Sequence, residues 1–301
     1  MTGLQWVSLV LTLLALCSHS SARKCWRNID CSGPTDSAFH GSWEKNIYAP
    51  SSRIIRPKEV LLPPDFSTTA DYAELETHIL RGNGSMVVFD FGLEVGGIVS
   101  LNYTATDSGV LGLAFTEAKN WIGEWSDSSN GAFEGPDGAV YATFTEPGSS
   151  SYVMSDEELR GGFRYLSIFL MTNDATEVLV EDVGLELSFQ PTWSNLRAYQ
   201  GYFHSNDELL NRIWYSGAYT LQTNAVPVHT GRQSPFLTSG WANNGTLGPG
   251  DTININGAKR DRVVSPGDMG IAIPSTFVST GDLESIKNAL QVMYNTQVFL
   301  R

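Results

Sequence analysis

Hydrophobic and polar positions divide the chain into two patterns. From residue 85 to about residue 190, short apolar runs alternate with Gly, Asp, Asn and Ser. They are "MVVFDFGLEVGGIVSLNYTA", "GVLGLAFTEA", "AVYATFTE", "YVMS", "FRYLSIFLM" and "TEVLVEDVGLELSF". β-Branched and aromatic residues fit a pleated, half-buried surface, and the small polar residues between them supply turns. The runs therefore predict strands of an antiparallel β-sandwich. The run 163–171 is apolar on both parities, which predicts a central strand. Past Thr192 the period lengthens. Leu209, Leu210, Ile213, Trp214, Tyr219 and Leu221 recur at helical spacing and predict a helix over 206–223, with "SNDE" (205–208) read as a capping box. A second helix is predicted from Asp282, with Leu283, Ile286, Leu290 and Met293 along one face. Between them lies a long connection, 224–281, and connections of that length inside a compact unit are usually functional.

The amino end follows another rule. Residues 6–16, "WVSLVLTLLAL", form an uncharged apolar run too short to span a bilayer comfortably. Ser20 and Ala22 are small residues suited to cleavage before Arg23. Residues 1–22 are therefore expected to be a signal peptide, although its first residues carry no Lys or Arg. Removal of this leader takes Cys17 with it and leaves Cys25 and Cys31, which in an oxidising compartment are expected to pair as a local staple. Three sequons, at Asn83, Asn102 and Asn244, fit the same secreted, extracellular setting. The expected organisation is leader 1–22, a β-sandwich domain with an irregular start over 23–195, and a helical region over 196–301. The last helical pattern runs to the end of the sequence without a capping signal.

Charge narrows the partners. The formal net charge is -13 over 301 residues. Phosphate binding needs clustered Lys and Arg, so nucleic acid and anionic membrane surfaces are poor partners. The segment 124–138 carries Glu124, Asp127, Glu134 and Asp137. A calcium site is conceivable there, but EF-hand spacing is absent and an exposed polar loop is the simpler reading.

Motifs narrow the chemistry. The chain has no GxSxG elbow, HExxH, P-loop or GxGxxG, and its five histidines lack zinc spacing. His229, in a loop, is more readily structural than catalytic. The carboxylates Asp251, Asp261 and Asp268 of the long connection remain. In "NGAKRDRVVSPGD" (256–268), Asp261 sits among Lys259, Arg260 and Arg262. Adjacent cations lower a carboxylate pKa, whereas a general acid needs it raised, for which Asp251 and Asp268 are the available like charges. On physical grounds alone a structural ion-pair network of Arg260, Arg262, Asp261 and Asp268 is the favoured reading of this stretch.

The strings "GYFHSNDELLNRIWYSGAYTLQTNAVPVHTGRQ" and "GAKRDRVVSPGDMGIAIPSTF", with "FDFGLEVGGIVSLNY" and "GGFRYLSIFL", closely resemble fungal members of the α-L-rhamnosidase family of glycoside hydrolases. The resemblance covers nearly the whole chain after the leader. It implies β-sandwich domains followed by an (α/α)6 six-hairpin barrel, of which this chain would hold an incomplete first part. It also implies release of terminal α-L-rhamnose with inversion, without a metal or other cofactor, from a rhamnose-bearing glycoside or plant polysaccharide. By this resemblance Asp261 is the candidate general acid, and Asp268 would hold sugar hydroxyls or the acid. Lys259, Arg260, Asn256 and Asp251 are the candidate substrate-binding residues. An inverting pair places its two carboxyls about 6.5–9.5 Å apart to admit a water. The chain departs from the family at Asn256, where Asp is common, and at Ser265, where Trp is common. The family's base, a Glu, is expected beyond residue 301. Glu284 is no substitute, since its place suggests ordinary first-turn charge. Two other readings stand beside a hydrolase: a carbohydrate-binding or degenerate protein without turnover, and a structural β-domain with an unfolded helical tail.

Overall fold

The computed structural model describes residues 25–74, 78–127, 137–173, 175–233, 240–259 and 261–297. The proposed leader, Glu134 and Arg260 lie outside the described residues. Among the described residues, twelve strands follow in chain order: β1 (Ile54–Ile55), β2 (Glu59–Leu61), β3 (Thr68–Asp71), β4 (His78–Arg81), β5 (Met86–Ala105), β6 (Gly109–Thr116), β7 (Val140–Phe144), β8 (Gly148–Val153), β9 (Arg160–Met171), β10 (Glu177–Leu187), β11 (Ala225–Pro227) and β12 (Thr252–Asn254). The helices are α1 (Glu208–Thr223), α2 (Pro266–Val278) and α3 (Leu283–Asn295).

The first ten strands form one curled, antiparallel sheet whose main path runs β1-β10-β5-β9-β6-β7. β5 makes the curl. Its first half pairs with β9 and β2, and its second half with β10 and β8. The register against β9 shifts twice between Asp90 and Gly97, so the strand turns a corner and changes partners without a loop. The expected central strand is β9, which lies between β5 and β6 and is buried at nearly every position.

α1 is capped differently from expectation. Asp207 is its N-cap and accepts from the Leu209 and Leu210 amides, while Glu208 is already the first helical residue. The capping box at 205–208 is therefore corrected: Ser205 donates to the Asp207 carbonyl and Asn211 Oδ1 and makes a turn before the helix. The buried face of α1 also differs. Tyr215, Ala218 and Tyr219 pack into the same continuous core as Phe89, Phe163 and Leu185 of the sheet. Leu209, Leu210 and Ile213 are exposed, as are Ile271, Phe277 and Val278 of α2.

The long connection is not a structureless loop. It contains β11 and β12, paired antiparallel, and α2. Val226, Ile253, Met269, Ile286 and Ala289 form a second, smaller core between these strands, α2 and α3. Cys25 and Cys31 are joined by a disulfide. Arg53 ties the amino-terminal segment to the end of the sheet, donating to the carbonyls of Leu187, Phe189, Gln190 and Trp193. Glu284, in the first turn of α3, accepts from Ser32 Oγ, a structural contact in keeping with ordinary first-turn charge. Among the described residues, no helix is long and apolar enough to cross a membrane.

Candidate functional site

The 256–263 stretch is a closed turn braced against the sheet. The Asn256 amide donates to the Val263 carbonyl (3.1 Å) and the Val263 amide to that of Asp261 (2.7 Å). Arg262 is the nail of this turn. Its buried guanidinium donates to the Thr230 carbonyl (2.6 Å), Thr230 Oγ1 (2.6 Å) and the Ala258 carbonyl (2.7 Å). Burial, and then the nearby Arg160 charge, pull Arg262 down to about 9, so it stays charged at neutral pH. Three acceptors at short range satisfy a cation that would otherwise be costly to bury.

The sheet meets this turn at two glycines of β9. A side chain on Gly161 would strike the Ala258 carbonyl. Gly162 has φ +62, and a Cβ there would lie 3.2 Å from both Glu94 Oε1 and Lys259 Cβ. Only glycine permits both this close approach and this backbone geometry. The resemblance rested partly on "GGFRYLSIFL", and its glycine pair sits where the sheet touches the turn.

Lys259 reaches back into the β-region. Its ammonium lies 2.9 Å from Glu117 Oε1 and 2.9–3.0 Å from the two carboxylate oxygens of Asp127. Behind it lies a buried ionic cluster. Asp137 is paired with Arg160 and, at 2.9 Å, with Arg232. Asp127 stands 3.7 Å from Arg160, and the Arg160 guanidinium lies over the Trp241 ring at 5.1 Å. Lys259 thus draws its ion pairs from acids of the β-region, Glu117 and Asp127, while Arg260 of the expected network lies outside the described residues. The exposed-loop reading of 124–138 is likewise corrected at both ends. Asp127 and Asp137 turn inward because Arg160, at the head of β9, and Arg232 and Lys259, from the connection, need carboxylates where they are buried.

The candidate residues from the sequence are distributed as follows. Asp261 and Asn256 are exposed on the same closed turn, and a Cβ on Gly257 would lie 3.6 Å from that of Asp261. Asp268 is exposed in the first turn of α2, just past its N-cap Ser265, where a carboxylate complements the helix dipole. Asp251 is exposed immediately before β12. His229 is exposed, with Nδ1 3.2 Å from Thr246 Oγ1. The sequon residues Asn83, Asn102 and Asn244 are all exposed.

Glu94 is the site residue that sequence reasoning missed. It stands at the corner of β5, across Gly162 from Lys259. Glu94 is exposed, yet the packed atoms around its carboxyl take away part of its hydration. That loss raises its pKa first. The Glu117 charge raises it further and Asp127 adds to this, while Lys259 opposes. No motif marks Glu94. Its significance comes from the bend that brings β5 and the turn together.

The raised pKa has a measurable consequence. The folded state holds the Glu94 proton more tightly than the unfolded chain does, so stability falls as pH rises from the ordinary glutamate value of 4.5 through the raised one. Glu94→Gln should be more stable than the parent at pH 8 and match it near pH 3–4. Thermal unfolding of both proteins at the two pH values checks this, and a gap of equal size at both would exclude the ionisation as its cause.

Among solved structures, the chain is similar to a rhamnosidase from Klebsiella oxytoca with rhamnose bound. The identity is 14%, the match covers 82% of this chain and 45% of that one, and the TM-score is 0.54. It is also similar to a GH78 family rhamnosidase of Bacillus sp. GL1, at 20% identity over 68% of this chain and 17% of that one, with a TM-score of 0.49. The chain thus spans less than half the length of either. At 14% identity the first likeness shows a shared fold, a β-rich arrangement of curled antiparallel sheet with helices. No protein-family model matches the chain, and no curated protein matches it.

Proposed function

We propose that the chain is a secreted glycoside-hydrolase-like protein of the α-L-rhamnosidase type, acting on rhamnose-bearing glycosides or plant polysaccharides. The observation that carries this is the fold shared with a rhamnosidase over 82% of the chain. The turn bearing Asp261 adds to it. Arg262 and Lys259 anchor this turn rigidly, while the Asp261 side chain remains open to solvent. A catalytic carboxyl needs that combination of fixed backbone and accessible head group. In this reading Asp261 is the general acid, Asn256, Asp251 and Asp268 line the sugar side, and α1 to α3 are the first helices of an (α/α)6 barrel. The exposed sequons and the Cys25–Cys31 bond suit an extracellular protein.

A second reading is favoured by Asn256 and Ser265, which stand where the resembled family commonly has Asp and Trp. It is sugar binding without turnover. One experiment separates the two. The purified 301-residue protein is incubated with an aryl α-L-rhamnoside, and free rhamnose is titrated into it by calorimetry. Rhamnose release supports the hydrolase, binding without release supports the second reading, and neither result overturns both.

A further inference from the structure

The loop between β6 and the buried acids exposes two tryptophans within five residues. Trp121 is 49% exposed and Trp125 54% exposed. Tryptophan is usually well buried, so two open indoles on one loop call for a ligand or a partner. Together with Asn120, Ile122, Gly123 and Glu124 they line a hollow of about 260 Å³. The lining residues include two tryptophans, an asparagine and a glutamate. Flat ring faces take the C–H face of a sugar, and the polar groups take its hydroxyls. The volume suits one pyranose ring, being below the usual range of about 300–1,000 Å³ for larger ligands.

The neck of the loop is tightly closed. The Glu117 amide donates to Asp127 Oδ2 (2.8 Å), the Phe115 amide to Ser126 Oγ (3.2 Å), and the Ser126 amide to the Gly138 carbonyl (2.9 Å). A short helical turn, Lys119–Trp121, stiffens the tip, and Ile122 packs against Leu61, Val88 and Tyr165. Glu117 and Asp127, the two residues at the neck, are the carboxylates that hold Lys259. The tryptophan loop is therefore fastened to the stretch that carries Asp261, two residues along the chain.

We propose that the hollow between Trp121 and Trp125 is a saccharide subsite, taking a sugar ring of the glycoside other than the terminal rhamnose. It rests on the rhamnoside reading for the identity of its ligand. This loop gives the chain an aromatic surface for stacking, contributed by the β-region and held beside the turn by Lys259.

The test compares two titrations by calorimetry on the full chain: free rhamnose, and a disaccharide with rhamnose linked to glucose. The wild type should bind the disaccharide more tightly than rhamnose. The Trp121→Ala/Trp125→Ala double variant should lose that advantage, about tenfold in affinity, with rhamnose binding and thermal midpoint unchanged. Trp125→Phe, which keeps a ring, should retain part of it. Equal binding of the two sugars by the wild type, an unchanged disaccharide affinity in the double variant, or no binding of either sugar overturns the subsite. Disaccharide binding through the tryptophans in a protein that releases no rhamnose would uphold the subsite while the hydrolase reading fails.

Discussion

Replacing Asp137 by Asn is expected to destabilise the protein by about 3–5 kcal/mol, because it removes the carboxylate shared by two buried guanidinium groups. Asp137 is fully buried, and it pairs with Arg160, itself 1% exposed, and with buried Arg232. The amide can still accept a hydrogen bond, but it cannot balance the charge. Arg262, fully buried nearby, adds a third cation that lowers the tolerance of the region for uncompensated charge. Whole domains are stable by only about 5–15 kcal/mol, so the loss is a large share of the total. Thermal unfolding should show a midpoint lower by on the order of 10 °C. Asp127→Asn is the internal comparison. Asp127 is farther from Arg160, at 3.7 Å, and retains a solvent-facing edge, so its cost should be smaller. A loss at Asp137 below about 1 kcal/mol would mean that other groups take over the charge balance, and the cluster would then not be what fixes the sheet to the turn.

The difference between these two acids shows where sequence reading stops. Asp127 and Asp137 fall in a polar, Gly- and Ser-rich segment, and composition there indicates solvent. Asp137 pairs with Arg232, 95 residues away, and Asp127 with Lys259, 132 residues away, and no local pattern encodes either pairing. The strands were legible because alternation and β-branching are local properties, and β9 was legible as central because both of its faces are apolar. α1 was legible as a helix, but its orientation was not. Its most apolar residues, Leu209 and Ile213, face outward. Gln222 faces inward, where it accepts from Tyr199 Oη and donates to the Leu196 carbonyl. A polar side chain with both ends satisfied can be buried at little cost, and hydrophobicity alone does not foresee that. α2 escaped notice because Pro266, Gly267, Gly270 and Pro274 read as breakers. Pro266 in fact stands at the first helical turn, where its missing N–H is no loss, and the helix continues past Pro274. The candidate turn was legible as a stretch of charge, whereas its bracing by Glu117 and Asp127 required the corner in β5 and the glycine pair of β9.

If the proposed rhamnosidase reading holds, with Asp261 as the general acid, Asp261→Asn is expected to lower rhamnoside turnover by about 10²–10⁴-fold, the usual contribution of such a group. Asparagine preserves the shape of the turn. The hydrogen bond from the Val263 amide to the residue 261 carbonyl involves backbone only, and Arg262 makes its contacts to Thr230 and Ala258. Stability should therefore hold within about 0.5 kcal/mol, as for surface changes generally, and rhamnose affinity should change little. The leaving group gives the decisive readout. A nitrophenolate departs readily without a proton, whereas a sugar alkoxide does not. The variant should therefore lose far more activity on a rhamnosyl disaccharide than on a nitrophenyl rhamnoside. If both substrates slow equally, Asp261 acts on the sugar or the water and not on the departing oxygen. If neither slows, the acid lies elsewhere. Glu94 is then the next group to substitute, since its surroundings at the corner of β5 raise its pKa, the direction a general acid needs.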